Sequence, residues 1–434
     1  MSKIRVSIRC RPSDSIATEL TLGDNNVSID GPNNKTDFIF DDVLDIHTSQ
    51  EDVFKKCVSS IIDQALDGFN GCVFAYGQTG AGKTHTMTGP VIQSFQERGV
   101  CLRAAGYLFD HARKRSHGDT NVVIRMSAIE IYNETLIDLF HKSSFNMGID
   151  NNNNNNNANS KTEQAPKLVI VDLPGGVEIP ALFLIPVDNE EDAYNLLLET
   201  FQNRMEAEHQ LNRRSSRSHV IYTFYITTTK VQDDRNDRRQ QPRRNSVNQS
   251  NTDVIQSKVH LVDLAGSERI AKTKSTGIVQ KEASHINKSL TFLEQVVLAL
   301  TQSKREHIPY RQSKLTYILK DSIGGNCNTN LIACIWPNAD YLYETLSTLR
   351  FATRMKCIEN HPVRNSLYQK ETATNSKLIQ QIQMLKKELI LKDMLLSLPT
   401  NNSNNGNNNG NSNNNGNNGN RVNIPQLPIA QNSS

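Results

Sequence analysis

Apolar and polar positions change their period several times along the chain, and each change predicts an element. From Ile4 to Arg9 apolar residues alternate with polar or charged ones, as in a half-buried strand. Asp52 to Leu66 instead carries Val53, Val58, Ile61, Ile62 and Leu66 at a largely helical spacing. The apolar run Cys72-Val73-Phe74-Ala75-Tyr76 reads as a strand, as do Val122 to Met126, Ser127 to Tyr132, Ile221 to Ile226 and Val259 to Val262. Strands and helical patterns alternate through about the first 350 residues. This predicts an α/β fold with a central, mostly parallel or mixed sheet and helices on both faces.

Two polar stretches interrupt the alternation. One, about residues 141–164, contains the unbroken run Asn151 to Asn157; the other, about 232–253, is rich in Arg, Asn, Gln and Asp. Neither has the apolar content to pack, so both are expected to be disordered surface loops, with Arg235, Arg238, Arg239, Arg243 and Arg244 solvated. Residues 359–371 include Pro362 and show little periodicity, which fits a linker. Leu378, Ile382, Leu385 and Leu389 then recur at alternating spacings of four and three, but Lys392 takes the next seam position before Leu396. This coiled-coil-like helix, at 372–397, offers about two to three heptads, enough for a weak homodimer at most. A lone helix packing back on the preceding domain is the equal alternative. Residues 398–434 are dominated by Asn, Gly and Ser and should form a disordered tail.

Composition narrows the partners. A chain of 434 residues could hold two or three average domains, but the pattern favours one large domain over residues 1–358. The formal net charge is only +3, so nucleic acid is not an expected partner, and contact with an acidic polymer would depend on local clusters. The seven cysteines form no C-x-x-C pair, and several lie in apolar runs, as expected of reduced core residues in the cytoplasm. The start Met1-Ser2-Lys3-Ile4-Arg5 lacks an apolar signal core, and no stretch approaches the ~18 apolar residues of a membrane span.

Three segments carry candidate chemistry. The first, Gly77-Gln78-Thr79-Gly80-Ala81-Gly82-Lys83-Thr84 followed by His85, is a complete G-x-x-x-x-G-K-T loop between a strand and a helix start. In such a loop backbone NH groups converge on the β-phosphate, Lys83 brings charge toward the β/γ oxygens, and the Thr84 hydroxyl can sit on Mg²⁺. The second, Asn212 to His219, interleaves Ser215, Ser216 and Ser218 with Arg213, Arg214 and Arg217. Hydroxyls ligate metal or position water and arginines neutralise phosphate, although alone the segment would read equally well as a solvated basic loop. The third places Asp263 at a strand tip, followed by Leu264-Ala265-Gly266-Ser267-Glu268. Such an Asp reaches Mg²⁺ through water, and the Gly266 NH can sense a γ-phosphate.

GQTGAGKT, NRRSSRSH and DLAGSE, in that order, resemble the phosphate loop and two switches of the P-loop kinesin motor domain. Arg9-Cys10-Arg11-Pro12 resembles the element flanking the adenine, with Arg9, Arg11 and Pro12 at the matching positions. Ile286 to Leu290, His307 to Thr316 and Glu344 to Ala352 resemble the helix after the second switch, the track-contacting loop and helix, and the last motor helix. Asn326 to Thr329, Ile335-Trp336-Pro337 and Leu385 to Leu389 are similar to the ninth kinesin class. The resemblance covers about residues 4 to 365 and implies a microtubule-stimulated ATPase using ATP and Mg²⁺, moving along microtubules in the cytoplasm and its cytoskeleton. The guanine-reading Asn-Lys-x-Asp is absent at its one candidate, where Ser289-Leu290 follow Asn287-Lys288, which favours ATP over GTP.

The same resemblance assigns roles. Thr84 and Ser216 match the Mg²⁺ ligands, with Asp263 acting through water; Ser215 lies near the γ-phosphate and attacking water. Arg217 and Glu268 match the ion pair that closes the switches. Arg269, Lys272, Lys274, Lys281, Tyr310, Arg311 and Lys314 fall where the family meets its track, while Ser284 and Tyr317 stand where many kinesins carry a cation. The segment beginning near Ile358-Glu359-Asn360 matches the linker that docks when ATP closes the switches. Only Met1-Ser2-Lys3 precede the first strand to cover it, which puts force output in doubt. A linker placed after the catalytic core implies plus-end-directed movement. Two rivals are a microtubule-end destabiliser, which would call for an extended basic segment ahead of the motor, and a nucleotide-insensitive microtubule-binding scaffold, which intact Lys83, Thr84, Ser216, Gly266 and Glu268 oppose.

Overall fold

A computed structural model of the chain describes residues 1–31, 34–90, 94–116, 120–140, 167–173, 176–210, 217–231, 252–268, 278–302 and 307–368. The chain divides into two compact units, Met1–Lys370 and Glu371–Ser434. The second unit, with the expected helix at 372–397 and tail at 398–434, lies outside the described residues, as do 141–166 and 232–251.

The first unit begins with strands β1 (Ser2–Lys3), β2 (Arg5–Cys10), β3 (Leu20–Leu22), β4 (Asn26–Asp30), β5 (Lys35–Ile39) and β6 (Asp42–Leu44). Helices α1 (Gln50–Cys57) and α2 (Ser59–Leu66), strand β7 (Gly71–Tyr76), and helices α3 (Lys83–Met87) and α4 (Val100–Arg115) follow. Next come β8 (Thr120–Tyr132), β9 (Thr135–Asp138), β10 (Val171–Leu173), β11 (Gly176–Glu178), β12 (Ile185–Val187) and helix α5 (Glu190–Gln210). The remainder comprises β13 (His219–Val231), β14 (Thr252–Asp263), α6 (Ile278–Thr301), α7 (Lys314–Ile318), β15 (Asn328–Ile335), α8 (Leu342–Lys356), β16 (Glu359–Asn360) and β17 (Ser366–Tyr368).

The central sheet runs β12-β8-β13-β14-β7-β15-β2-β6, with β9 and β17 attached to β8 and β14. It is mixed: pairs from β14 through β7, β15 and β2 to β6 are parallel, and pairs from β12 to β14 are antiparallel. The period of two in β7 explains why both faces must be covered. Cys72, Phe74 and Tyr76 join one buried cluster with Val296, Leu331 and Phe351, whereas Val73 and Ala75 join the other with Ile62, Leu108 and Tyr222. The Tyr76 and Phe351 rings stack 4.0 Å apart, anchoring α8 to the sheet.

Four local expectations change. The strand read as half-buried, Ile4 to Arg9, is buried on both faces, because its polar side is satisfied inside: Ser7 Oγ donates to Asp42 (3.2 Å) and Arg9 to Gln50 and Thr86. The helix expected over Asp52 to Leu66 is two helices, broken at Val58 (φ −128°). There Ser59 Oγ donates to Lys55 O at 2.8 Å, a side-chain bond that competes with the helical ladder. The polar stretch expected to run to 253 gives way at Thr252, where β14 continues its pairing with Lys230 and Val231. The segment expected to be an aperiodic linker carries two short strands, with β16 against β1 and β17 against β14.

Asparagines, not apolar periodicity, hold that segment. Asn360 is buried; its Oδ1 accepts from Gly324 N (2.7 Å) and its Nδ2 donates to Ser322 O (3.0 Å) and Cys327 O (2.8 Å). Val363 N donates to Asn326 Oδ1 (2.6 Å), and Asn365 bridges Asn326 and Asn70.

Candidate active site

The phosphate loop is the turn between β7 and α3. Gly77 (φ +145°) lies against the Cys334 carbonyl of β15, where any Cβ would collide, so the loop can leave the sheet only through glycine. The loop borders a cavity of about 750 Å³ lined by Arg9, Arg11, Pro12, Thr48 to Gln50, Thr79 to Thr86, Gln96, Glu97 and Leu264. That volume suits a nucleotide-sized ligand.

Lys83 is buried, and its ammonium donates to the Gln78 carbonyl at 2.9 Å. Burial pulls its pKa down, against Asp263 and Glu268, which hold it up. Thr84 Oγ1 donates to Asp263 Oδ2 at 2.8 Å, joining the first and third predicted segments. The second oxygen, Asp263 Oδ1, is buried with no hydrogen-bond partner among the described residues. An unpartnered carboxylate oxygen beside a threonine hydroxyl fits the hard oxygen donor set of Mg²⁺ and its waters.

Asp263 has a partner that the motifs did not signal. Arg204, from α5, lies 3.3 Å from Asp263 Oδ2 and 4.0 Å from Glu130 Oε1, deep in the interior. The available signal was positional: Leu196, Thr200 and Arg204 follow one another at intervals of four, so Arg204 extends the buried stripe of α5.

The third segment lies against the loop. Ser267 N donates to Gly77 O (3.1 Å), and Glu268 accepts from Thr79 N (2.7 Å) and Thr79 Oγ1 (2.5 Å). A Cβ on Gly266 would strike Thr79 Oγ1 and the Glu268 carboxylate, so a larger residue here would push apart the Thr79–Glu268 contact. Arg217 is half-buried at the entrance to β13; Ser215 and Ser216 lie outside the described residues.

On the expected adenine side the arginines differ. Arg9 is buried, its Nη1 donating to Gln50 Oε1 (3.0 Å) and Thr86 Oγ1 (2.8 Å), so its guanidinium braces the cavity wall instead of offering an open stacking face. Gln50 also donates to the His85 carbonyl (2.7 Å) and contacts His85 Nδ1 (3.2 Å); burial, then Arg9, lowers the His85 pKa. Arg11 donates to the Gly80 carbonyl and lies 4.1 Å above the Trp336 ring, which itself stacks on Tyr341. Thr48, Ser49, Gln50, Gln96 and Glu97 complete the wall and carry no motif of their own.

Of the expected track residues, Arg269, Lys272 and Lys274 and the side chain of Lys281 lie outside the described residues. Arg311 is exposed, 5.4 Å over the Tyr317 ring and 3.6 Å from Asp172 of β10. Tyr317 therefore supports a cation where the family often carries one. Lys314 starts α7, its N–H donating to Glu134 Oε2 (2.7 Å). Tyr310 turns inward, its hydroxyl donating to Ile323 O at 2.6 Å.

The kinesin motor domain family matches residues 8–358. Kinesin-like protein KIF9 of Mus musculus is 40% identical over 408 residues, 91% of this chain and 47% of that protein. Kinesin-like protein KLP1 of Chlamydomonas reinhardtii is 35% identical over 409 residues, covering 90% of this chain and 47% of its own length. The chain thus spans about half the length of these relatives. A solved structure described as a fast kinesin superposes with a TM-score of 0.69 at 33% identity, covering 85% of this chain and 96% of its own. A KIF14 dimer with AMP-PNP in complex with a microtubule gives 0.69 at 30% identity, covering 88% and 99%. With its loop, strand-tip aspartate and glycine assembled on a shared sheet, the chain belongs to the kinesin motor-domain family.

Proposed function

We propose that the chain is a microtubule-stimulated ATPase that couples hydrolysis to movement along microtubules, directed toward the plus end. The observation carrying this reading is the contact of Thr84, which lines the cavity, with the buried Asp263 behind it, whose Oδ1 has no hydrogen-bond partner among the described residues. Phosphoryl transfer demands positioning and charge neutralisation more than covalent chemistry. Lys83 and the loop amides would hold the β/γ-phosphates of ATP, and Arg11 would flank the base. Thr84 and Ser216 would hold Mg²⁺ directly and Asp263 through water; when bound, the ion offsets charge on the transferred phosphoryl group. Ser215 would orient the attacking water, while Arg217 pairing with Glu268 would draw the two switches together. Gly266, held beside the loop by the Ser267–Gly77 bond, would follow the γ-phosphate as it leaves. Segment 359–368 would dock in step with that closure, and Arg311 and Lys314 would meet the acidic track, together with the cations at 269, 272, 274 and 281.

Purified protein fixed to glass and supplied with polarity-marked microtubules tests the reading. Expected results are ATP-dependent gliding with minus ends leading, and turnover that rises with microtubule concentration. Filaments that bind equally tightly with every nucleotide and never move would overturn it in favour of a scaffold.

A further inference from the structure

The residue that closes the second predicted segment, His219, has no role in the chemistry above, yet its imidazole is the polar junction of three elements. It opens β13 and is buried. Nδ1 accepts the backbone N–H of Ala265 at 3.0 Å, which leaves the ring hydrogen on Nε2. Nε2 then donates to Ser289 Oγ of α6 at 2.7 Å. Ala265 immediately precedes Gly266, and Ser289 sits in a 24-residue helix, a rod of about 36 Å.

The rest of the described buried face of α6 is apolar: Leu290, Leu293, Val296 and Val297 pack into the core. Hydrophobic contact has no direction and tolerates sliding by a fraction of a turn. A buried hydrogen bond does not, because separating its partners strands both polar atoms away from water. One imidazole therefore ties the register of a long helix to the turn that carries Gly266, alongside the buried Tyr76 hydroxyl that meets Ser267 and Glu294.

We propose that His219 is a positioning residue that passes the displacement of Gly266 to helix α6, through Ala265 on one side of its ring and Ser289 on the other. The inference rests on the motor reading above. It adds a direct two-bond route that leaves from the residue before Gly266, whatever path the chain takes after Glu268.

Two substitutions remove the same bond from opposite ends. Ser289→Ala deletes one oxygen and keeps a strong helix former. His219→Asn retains an acceptor for Ala265 N–H but is too short to reach Ser289. With Ser289→Ala, basal turnover should stay within about twofold of wild type. Microtubule stimulation, and the ratio of microtubule affinities between AMP-PNP and ADP states, should each fall roughly five- to tenfold. His219→Asn should reduce the affinity ratio equally, and the double variant should be no worse than either single. A Ser289→Ala protein with wild-type stimulation and affinity ratio overturns the inference, as do single effects that multiply in the double variant. A wild-type protein indifferent to microtubules overturns the motor reading itself, and this inference with it.

Discussion

Glu268 holds the phosphate loop through two bonds to Thr79 and is also the residue expected to meet Arg217, so one carboxylate would serve both the loop and the second segment. Replacing it should separate binding from turnover. Glu268→Ala is expected to bind a fluorescent ATP analogue as wild type does while microtubule-stimulated phosphate release falls about a hundredfold; normal release would refute the assigned role. Buried imidazoles add a pH dependence. His260, bonded to Thr223 Oγ1 at 2.8 Å, and His219 are both pushed down to about 3 by burial, with nearby cations adding to the effect. Depressed folded-state values mean that the unfolded chain binds the extra protons, so this stability is complete above about pH 6.5 and is lost as pH falls toward 3. Near pH 5.5 the two should together cost about 3 kcal/mol, read as a lower urea midpoint than at pH 7.5. His260→Gln should remove about half of that difference. At this scale the legible residues were those whose chemistry requires fixed spacing, namely Lys83, Thr84, Asp263 and Gly266. Arg204, Gln50 and the inward turn of Tyr310 were not, since each acts through a partner far away in sequence.

Among elements, long buried strands were the most readable, because β7, β13 and β14 combine apolar runs with β-branched or aromatic content. The linker strands were unreadable for the opposite reason: two or three residues each, fixed by asparagine amides and distant backbone, leave no period to detect. The short helix α7 offers an element-level test of track contact. Arg311, exposed above Tyr317, and Lys314 at its first turn present positive charge on one edge. Neutralising both should raise the microtubule concentration for half-maximal turnover about tenfold at low salt, less at high salt, with basal turnover nearly unchanged. An equal fall in basal turnover would indicate misfolding.

Across the whole first unit, alternating periods implied a covered mixed sheet, and the first and third motifs located the cavity at one end of its central strands. Strand order was not legible, because sequence periodicity says which residues are buried but not which strands are neighbours. The link between sheet and linker is testable through Asn360. Asn360→Ala would leave the Gly324 N–H and two carbonyls without their amide partner, at a cost of about 1–3 kcal/mol for each group left unsatisfied. Amide exchange over residues 358–366 should accelerate at least tenfold, and unchanged protection would sink the assignment.

The two-residue pairing of β1 with β16 also dictates how the segment would give way under load. Tension applied beyond residue 368 reaches the edge pairing of β17 first, then the Asn365 amide, and only afterwards Asn360 in its buried seat. Rupture would therefore proceed stepwise from the far end inward, with the final and stiffest catch set by one asparagine, not by the short ribbon beside it.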